Sequence, residues 1–418
     1  MIKTIIRSIP FVKPITIGQA RKIHIKKPRF TRNVNTSMNT HSLRENVSHV
    51  QMVRYDQFNK ENMAKQTMLS GWMEFLKVPK SDSLVVPSQI IVPENTKSHD
   101  LVLKRMADSY IEHYLSFKNS PELLEEYLDP VGEIRIGKIL EDIDFLAESI
   151  GYKHCGIDPS SGNRPLTILT ASVDRLDVIK PIQVCDIRLS GHVIYTGYSS
   201  METGGREPKK LFQMGEQNRR IASAAKALKK APPTEEERVL HELFVKYSNF
   251  ADPKKGKQEQ PDDFIWMEDT GMNSVASMQP IDRHTHGFVF GGYLMRLAYE
   301  LAFSNASVFL RSQPKFLAMD EISFKRPVPI GSILTLSSQV VYAPGPPHNS
   351  FTVSVTADMV DIQNSSHDTS NIFHFNFRAD NAEMIRKVIP KTYGESMKFL
   401  EGKRRREEGL RLRGLSSL

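Results

Sequence analysis

The sequence predicts an α+β fold built twice, each copy a long helix laid across a run of antiparallel strands. Three observations carry this reading. Residues 137–147 can be laid on 291–301 with apolar positions recurring at helical spacing in both. Behind each helix an aspartate is followed, six and seven positions on, by a basic residue and a proline: Asp174 with Lys180 and Pro181, Asp320 with Arg326 and Pro327. Alternating, strand-like runs follow each of these motifs. The offset is 154 at the helix and 146 at the aspartate, a difference of a few loop residues, as duplicated domains show.

The elements follow in order. Residues 1–44 hold ten Lys/Arg and no acid, with the apolar stretches broken by Lys3, Arg7 and Lys13, which predicts a mitochondrial transit leader rather than a secretory signal. A basic tail without that role is the alternative. Residues 45–97 form an N-terminal extension with a helical pattern at 63–77. The first copy spans 98–205: a first strand at 98–118, a short acidic helix or turn at 121–128, a helix at 137–150, a Gly/Pro/Ser/Asn loop at 156–165, then strands across 166–202. Residues 206–263 are a charged linker with one helix near 234–247. The second copy, 264–385, repeats the order with a strand at 264–279, a helix at 291–304 and strands at 315–326, 331–343, 350–361 and 371–379. Residues 386–418 are a basic tail, expected to be solvated.

Composition narrows the function. The 418 residues suit two domains, and 39% hydrophobic content with a mean hydropathy of −0.37 describes a globular chain. No run of about eighteen apolar residues occurs, so no spanning helix is expected. The net charge of +8 lies at the ends: residues 401–418 carry six basic and three acidic side chains, and without both ends the body is about −5. That argues against a nucleic-acid surface. Cys155 and Cys185 lack metal-ligand spacing and fit a reducing compartment.

The most informative stretch is 282–300. A His-rich loop with Asp282, His284 and His286 runs through Gly291-Gly292 into an amphipathic helix. The first N–H groups of a helix have no intrahelical partner, so glycines there let a ligand oxygen approach bare donors at the positive end of the dipole. Asp282 and His286 stand one short loop away. Asp282 as a turn cap and the glycine pair as a helix-packing device are the structural alternatives, and packing does not exclude oxyanion binding. The first copy has Gly137-Lys138 in place of the pair. The two histidines lack a third ligand, so no metal is expected. Leu294, Met295 and Phe290 line either the core or a ligand tunnel.

Met278-Gln-Pro-x-Asp282-Arg-x-x-His286-Gly287-x-x-Phe290-Gly-Gly-x-Leu-Met-Arg-x-Ala-x-Glu300 resembles the mitochondrial branch of the double-hotdog acyl-coenzyme A thioesterases. Met106-x-Asp108-Ser-Tyr-x-Glu112 and the stretch 134–144 resemble the first-half motifs of that branch, and the likeness covers about residues 98–385. The resemblance implies tandem hotdog domains, each a helix wrapped by a curved sheet, with sites at the seam between the two helices. It implies hydrolysis of acyl-CoA to fatty acid and CoA without a cofactor, in the mitochondrial matrix, by a homo-oligomer of double units.

The resemblance also assigns residues. Asp282 matches the family's catalytic aspartate and is the expected base, activating water while the N–H of Gly292 stabilises the oxyanion. Asp129 stands near the first-copy counterpart, where relatives carry Asn. His286 is expected to bond the loop or the thioester. Glu300, like Asp142 and Asp144, is a helix carboxylate with catalytic and salt-bridge readings both open. Arg326, Lys325, Lys180 and Arg135 are the expected contacts for the CoA phosphates. The competing reading is a non-catalytic hotdog that binds acyl-CoA or serves as a structural subunit. A hotdog dehydratase would need an Asp/His pair in one motif at its helix start, which is not found.

Overall fold

A computed structural model describes residues 2–8, 104–156, 168–178, 182–196, 201–202, 209, 213, 233–251, 263–279, 288–324, 326–360, 367–381 and 385–412. Two antiparallel helices form its centre. Residues 2–8, expected within the leader, form β1 (Ile2–Ser8), while the expected extension at 45–97 lies outside the described residues. The first copy contributes β2 (Lys104–Arg105), β3 (Ile111–Leu115), α1 (Pro121–Tyr127), α2 (Ile136–Cys155), β4 (Ser172–Val173), β5 (Leu176–Asp177), β6 (Ile187–Val193), with which β1 pairs, and β7 (Met201–Glu202). α3 (Thr234–Ala251) follows. The second copy holds β8 (Phe264–Trp266), β9 (Met272–Ser277), α4 (Gly291–Leu310), β10 (Lys315–Met319), β11 (Ile322–Ser323), β12 (Ile333–Tyr342), β13 (Ser350–Val360), β14 (His367–Arg378) and β15 (Lys387–Ile389), and α5 (Tyr393–Leu412) ends the described chain.

The second copy is a curved sheet wrapped on α4, in the order β5-β10-β14-β13-β12-β9. Alternation dictates which side chains meet the helix: Phe373, Phe375 and Phe377 of β14 and Phe351, Val353 and Val355 of β13 are fully buried. Asn305, inside α4, donates to the Thr270 carbonyl at 2.9 Å and to the Ser338 hydroxyl, which fixes the helix along the sheet. The first copy has a smaller sheet, β1-β6-β3, over Ile139, Leu146 and Ile150 of α2. Its strands β4 and β5 leave that sheet and pair with β11 and β10 of the second copy, so backbone hydrogen bonds tie the copies together.

Two expectations require correction. The strand expected over 98–118 is broken by a 3₁₀ turn at Met106–Ser109, where the Asp108 carboxylate accepts the Arg105 N–H at 2.8 Å. A local side-chain bond competes there with the strand ladder. The C-terminal segment is not a solvated tail: β15 lies parallel to β8, and α5 packs on the outer face of the large sheet. Leu400 is fully buried, Phe399 meets the Tyr342 ring at 4.9 Å, and Gly402 allows the close approach, since a Cβ there would stand 2.8 Å from that of Tyr342. Charge hid the packing: the arginines of α5 bond acceptors on the fold, Arg404 to Glu236 and Arg406 to the Ser350 hydroxyl at 3.1 Å.

α2 and α4 meet across a polar seam. Glu141 takes Arg296 at 3.1 Å and Lys138 at 3.4 Å, and Asp142 accepts the Tyr127 hydroxyl at 2.7 Å. Burial pushes the Asp142 carboxyl up to about 7, against the pull of the Tyr127 bond and of Lys138. Because this value lies above the unfolded one of about 3.9, Asp142 favours the fold at low pH, and that contribution is lost as pH rises through about 7. Asp142→Asn keeps an acceptor for Tyr127 and removes the titration. The variant is therefore expected to melt above the parent at pH 8, with the gap closing toward pH 4; thermal unfolding at both pH values checks it, and equal midpoints at pH 8 would refute it.

Candidate active site

The site forms where the start of α4 meets the middle of α2. Asp144, on α2, projects across the seam and accepts the Gly292 N–H through Oδ2 at 2.6 Å and the Thr170 hydroxyl through Oδ1 at 2.6 Å. The residue is 7% exposed, and its carboxylate faces the positive end of α4. Gly292 makes the approach possible: a Cβ there would stand 2.7 Å from the Asp144 Cβ, 2.9 Å from the Glu141 Cα and 3.0 Å from the Glu141 carbonyl oxygen. Gly291 lies under the Phe324 ring and beside the Asp144 Oδ2. Phe145 and Phe290 pack edge to face at 4.5 Å and close the apolar wall.

These contacts correct the helix register. Gly292 meets Glu141 and Asp144, while Gly137 meets Arg296 and Tyr299 at the other end of the seam. The pairing equates Gly137 with Gly292, Glu141 with Arg296 and Asp144 with Tyr299, an offset of 155 rather than 154. The position of Asp144 is thus filled in the second helix by Tyr299 and not by Glu300. Tyr299 is packed among Phe316, Phe375 and Phe377. Burial first, and then the charges of Asp129, Glu133 and Glu300, push its phenol far above the ordinary value, so no base faces Gly137 from that position.

The expected site residues divide accordingly. Asp282, His286, Lys325 and Lys180 lie outside the described residues. Gly292 is in place, but its N–H is committed to Asp144 instead of standing open for an oxyanion. Glu300 pairs with Arg135 at 2.6 Å, which takes both the catalytic candidate and the phosphate candidate into one ion pair across the seam. Asp129 caps its own turn, accepting the N–H groups of Val131 at 3.0 Å and Glu133 at 2.8 Å. Arg326 sits on the surface against Asp368 at 2.8 Å. Leu294 and Met295 belong to the core, and Phe290 is buried against Phe145 at the seam.

Thr170 was not legible. It falls in the region 166–202, expected to be strand, with no motif of its own, and the β4–β11 pairing beside it brings it to Asp144. Asp144 carried a signal, since the closest helix approach calls for glycine, and aligning Gly137 with Gly292 would have singled it out opposite a tyrosine. Among the described residues no group of three or more metal-ligating side chains occurs, and no helix is long and apolar enough to cross a membrane.

A helix wrapped by a curved sheet, duplicated about a seam with a carboxylate at a helix start, defines a double-hotdog protein of the thioesterase class, and the thioesterase superfamily profile matches residues 286–345. The human mitochondrial acyl-coenzyme A thioesterase 9 is 37% identical over 359 residues, 74% of this chain and 79% of its own length. The bovine protein of that name is 35% identical over 86% of this chain and 89% of its own. A chloroplastic acyl-coenzyme A thioesterase 2 from Humulus lupulus is 32% identical over 72% and 81%. The chain belongs to this acyl-coenzyme A thioesterase family.

Proposed function

We propose that this protein hydrolyses acyl-CoA to a free acid and CoA at one seam site, with Asp144 as the group that orients and deprotonates water. The activity is that of its family, and the protein is a mitochondrial member of it; the matrix is the compartment we assign. The observation that carries the site is the Asp144 carboxylate held by the Gly292 N–H and the Thr170 hydroxyl, two donors that aim it across the seam. Water attacks the thioester carbonyl, Asp144 takes its proton, and the tetrahedral oxyanion collapses with departure of the CoA thiolate. The first N–H groups of α4, apart from that of Gly292, are the donors we assign to the oxyanion. Tyr299, in the place of Asp144, supports one working site per chain rather than two. Assembly beyond one chain and the contacts of Lys180 and Lys325 with the CoA phosphates belong to the same proposal.

Thiol release by the full chain from acyl-CoAs of two to eighteen carbons tests the activity. Measurable turnover with a chain-length optimum is expected. Binding without release would replace the hydrolase with an acyl-CoA carrier or a structural subunit. Asp282→Asn is expected to retain far more turnover than Asp144→Asn. The reverse ranking would move the base to Asp282.

A further inference from the structure

Arg175 follows β4, past the end of that strand away from Thr170, and belongs to a partly buried ionic cluster unused by the proposed chemistry. Its guanidinium grips Asp177 with two bonds, Nε to Oδ2 at 2.9 Å and Nη2 to Oδ1 at 3.0 Å, and its third arm reaches Asp320 across the boundary between the copies. Asp320 is 4% exposed; its Oδ1 also accepts the Asn376 amide at 3.2 Å, and its own N–H donates to the His374 carbonyl at 3.0 Å. His374 meets Glu401 of α5 at 3.5 Å, and Glu401 holds Arg405 at 2.8 Å. The same helix closes over Arg175 at Gly409, where a Cβ would stand 2.8 Å from Nη2.

Either side of this cluster is bonded backbone. Leu176 and Asp177 pair with Met319 and Ala318, and Ser172 and Val173 pair with Ser323 and Ile322. The Phe324 N–H donates to the Ala171 carbonyl at 3.0 Å, and the next residue back is Thr170, whose hydroxyl bonds Asp144. Phe324 itself covers Gly291 at the start of α4. Two-residue strands have few ladder bonds to fix their register, so a side-chain bridge beside them has a large share in it.

We infer that Arg175 and Asp320 are a positioning pair for the hydrolytic site: bridged under α5, they lock the β4–β11 ladder and so hold Thr170 against Asp144. The inference rests on the reading of Asp144 given above. It makes the C-terminal helix, remote from the substrate, a support of the reaction. A guanidinium is required because one planar fork must satisfy Asp177 with two bonds and Asp320 with a third, which an ammonium does not match.

A double-mutant cycle in the full chain tests it. Thr170→Val removes one charge-assisted hydrogen bond and is expected to lower kcat about tenfold with little change in KM. Arg175→Ala is expected to lower kcat by a similar factor, to be partly restored by guanidinium ion in the assay, and to add no further loss in the Thr170→Val background. Gly409→Ala, whose methyl displaces the Arg175 guanidinium, is expected to act the same way more weakly and serves if Arg175→Ala does not fold. Losses that multiply in the double variant, or a kcat untouched by Arg175→Ala and Gly409→Ala, would overturn the positioning role while a collapsed Asp144→Asn left the hydrolytic site standing. Wild-type kcat in both Asp144→Asn and Thr170→Val would overturn both.

Discussion

Asp144→Asn is expected to lower kcat by about 10²- to 10⁴-fold, the usual contribution of a positioned general base, while leaving the fold intact. The amide fits the site: its oxygen accepts the Gly292 N–H and its NH₂ donates to the Thr170 hydroxyl, which is free to rotate, so neither partner of the 2.6 Å bonds is stranded. What disappears is the ability to take a proton from water. Steady-state thiol release with the best acyl-CoA measures the loss, and thermal unfolding checks that the midpoint stays within a few degrees. A rise in KM with kcat preserved would show that Asp144 contributes to substrate binding alone.

Gly292→Ala is expected to damage both stability and turnover. The added methyl meets the Asp144 Cβ at 2.7 Å, the Glu141 Cα at 2.9 Å and the Glu141 carbonyl at 3.0 Å, all backbone or first side-chain atoms that cannot swing away. The helices must therefore separate, at about 1–3 kcal/mol for an overpacked core. The same shift lengthens the 2.6 Å bond from Gly292 to Asp144, and a misplacement of about 1 Å near reacting groups costs on the order of 10²-fold in rate. Gly291→Ala is the control. Its Cβ meets the Phe324 Cζ at 3.1 Å and the Asp144 Oδ2 at 3.3 Å, ends of side chains and not backbone, so a milder effect on stability is expected. Melting midpoints and kcat of the pair decide it; equal damage would refute close packing at Gly292 as the cause.

The sequence by itself indicated the helix at the centre of each copy and the run of strands after the second helix, because these follow from local periodicity: α2 and α4 lie where apolar residues recur at helical spacing. It also determined the family, through the motif running into α4. Three matters waited for the tertiary structure. The helix register was one residue off, since Gly137-Lys138 looks like Gly291-Gly292 in one dimension, whereas close packing equates Gly137 with Gly292 and sets Asp144 opposite Tyr299. Thr170 reaches Asp144 from 26 positions away, through a strand pairing that no local pattern encodes. The arginines of α5, which as a string resemble a solvated tail, find Glu236, Glu401 and Ser350 only once the sheet presents them. Periodicity records which face of an element is buried, but which residues then meet across a seam depends on the relative placement of elements, and that is set by the whole core at once.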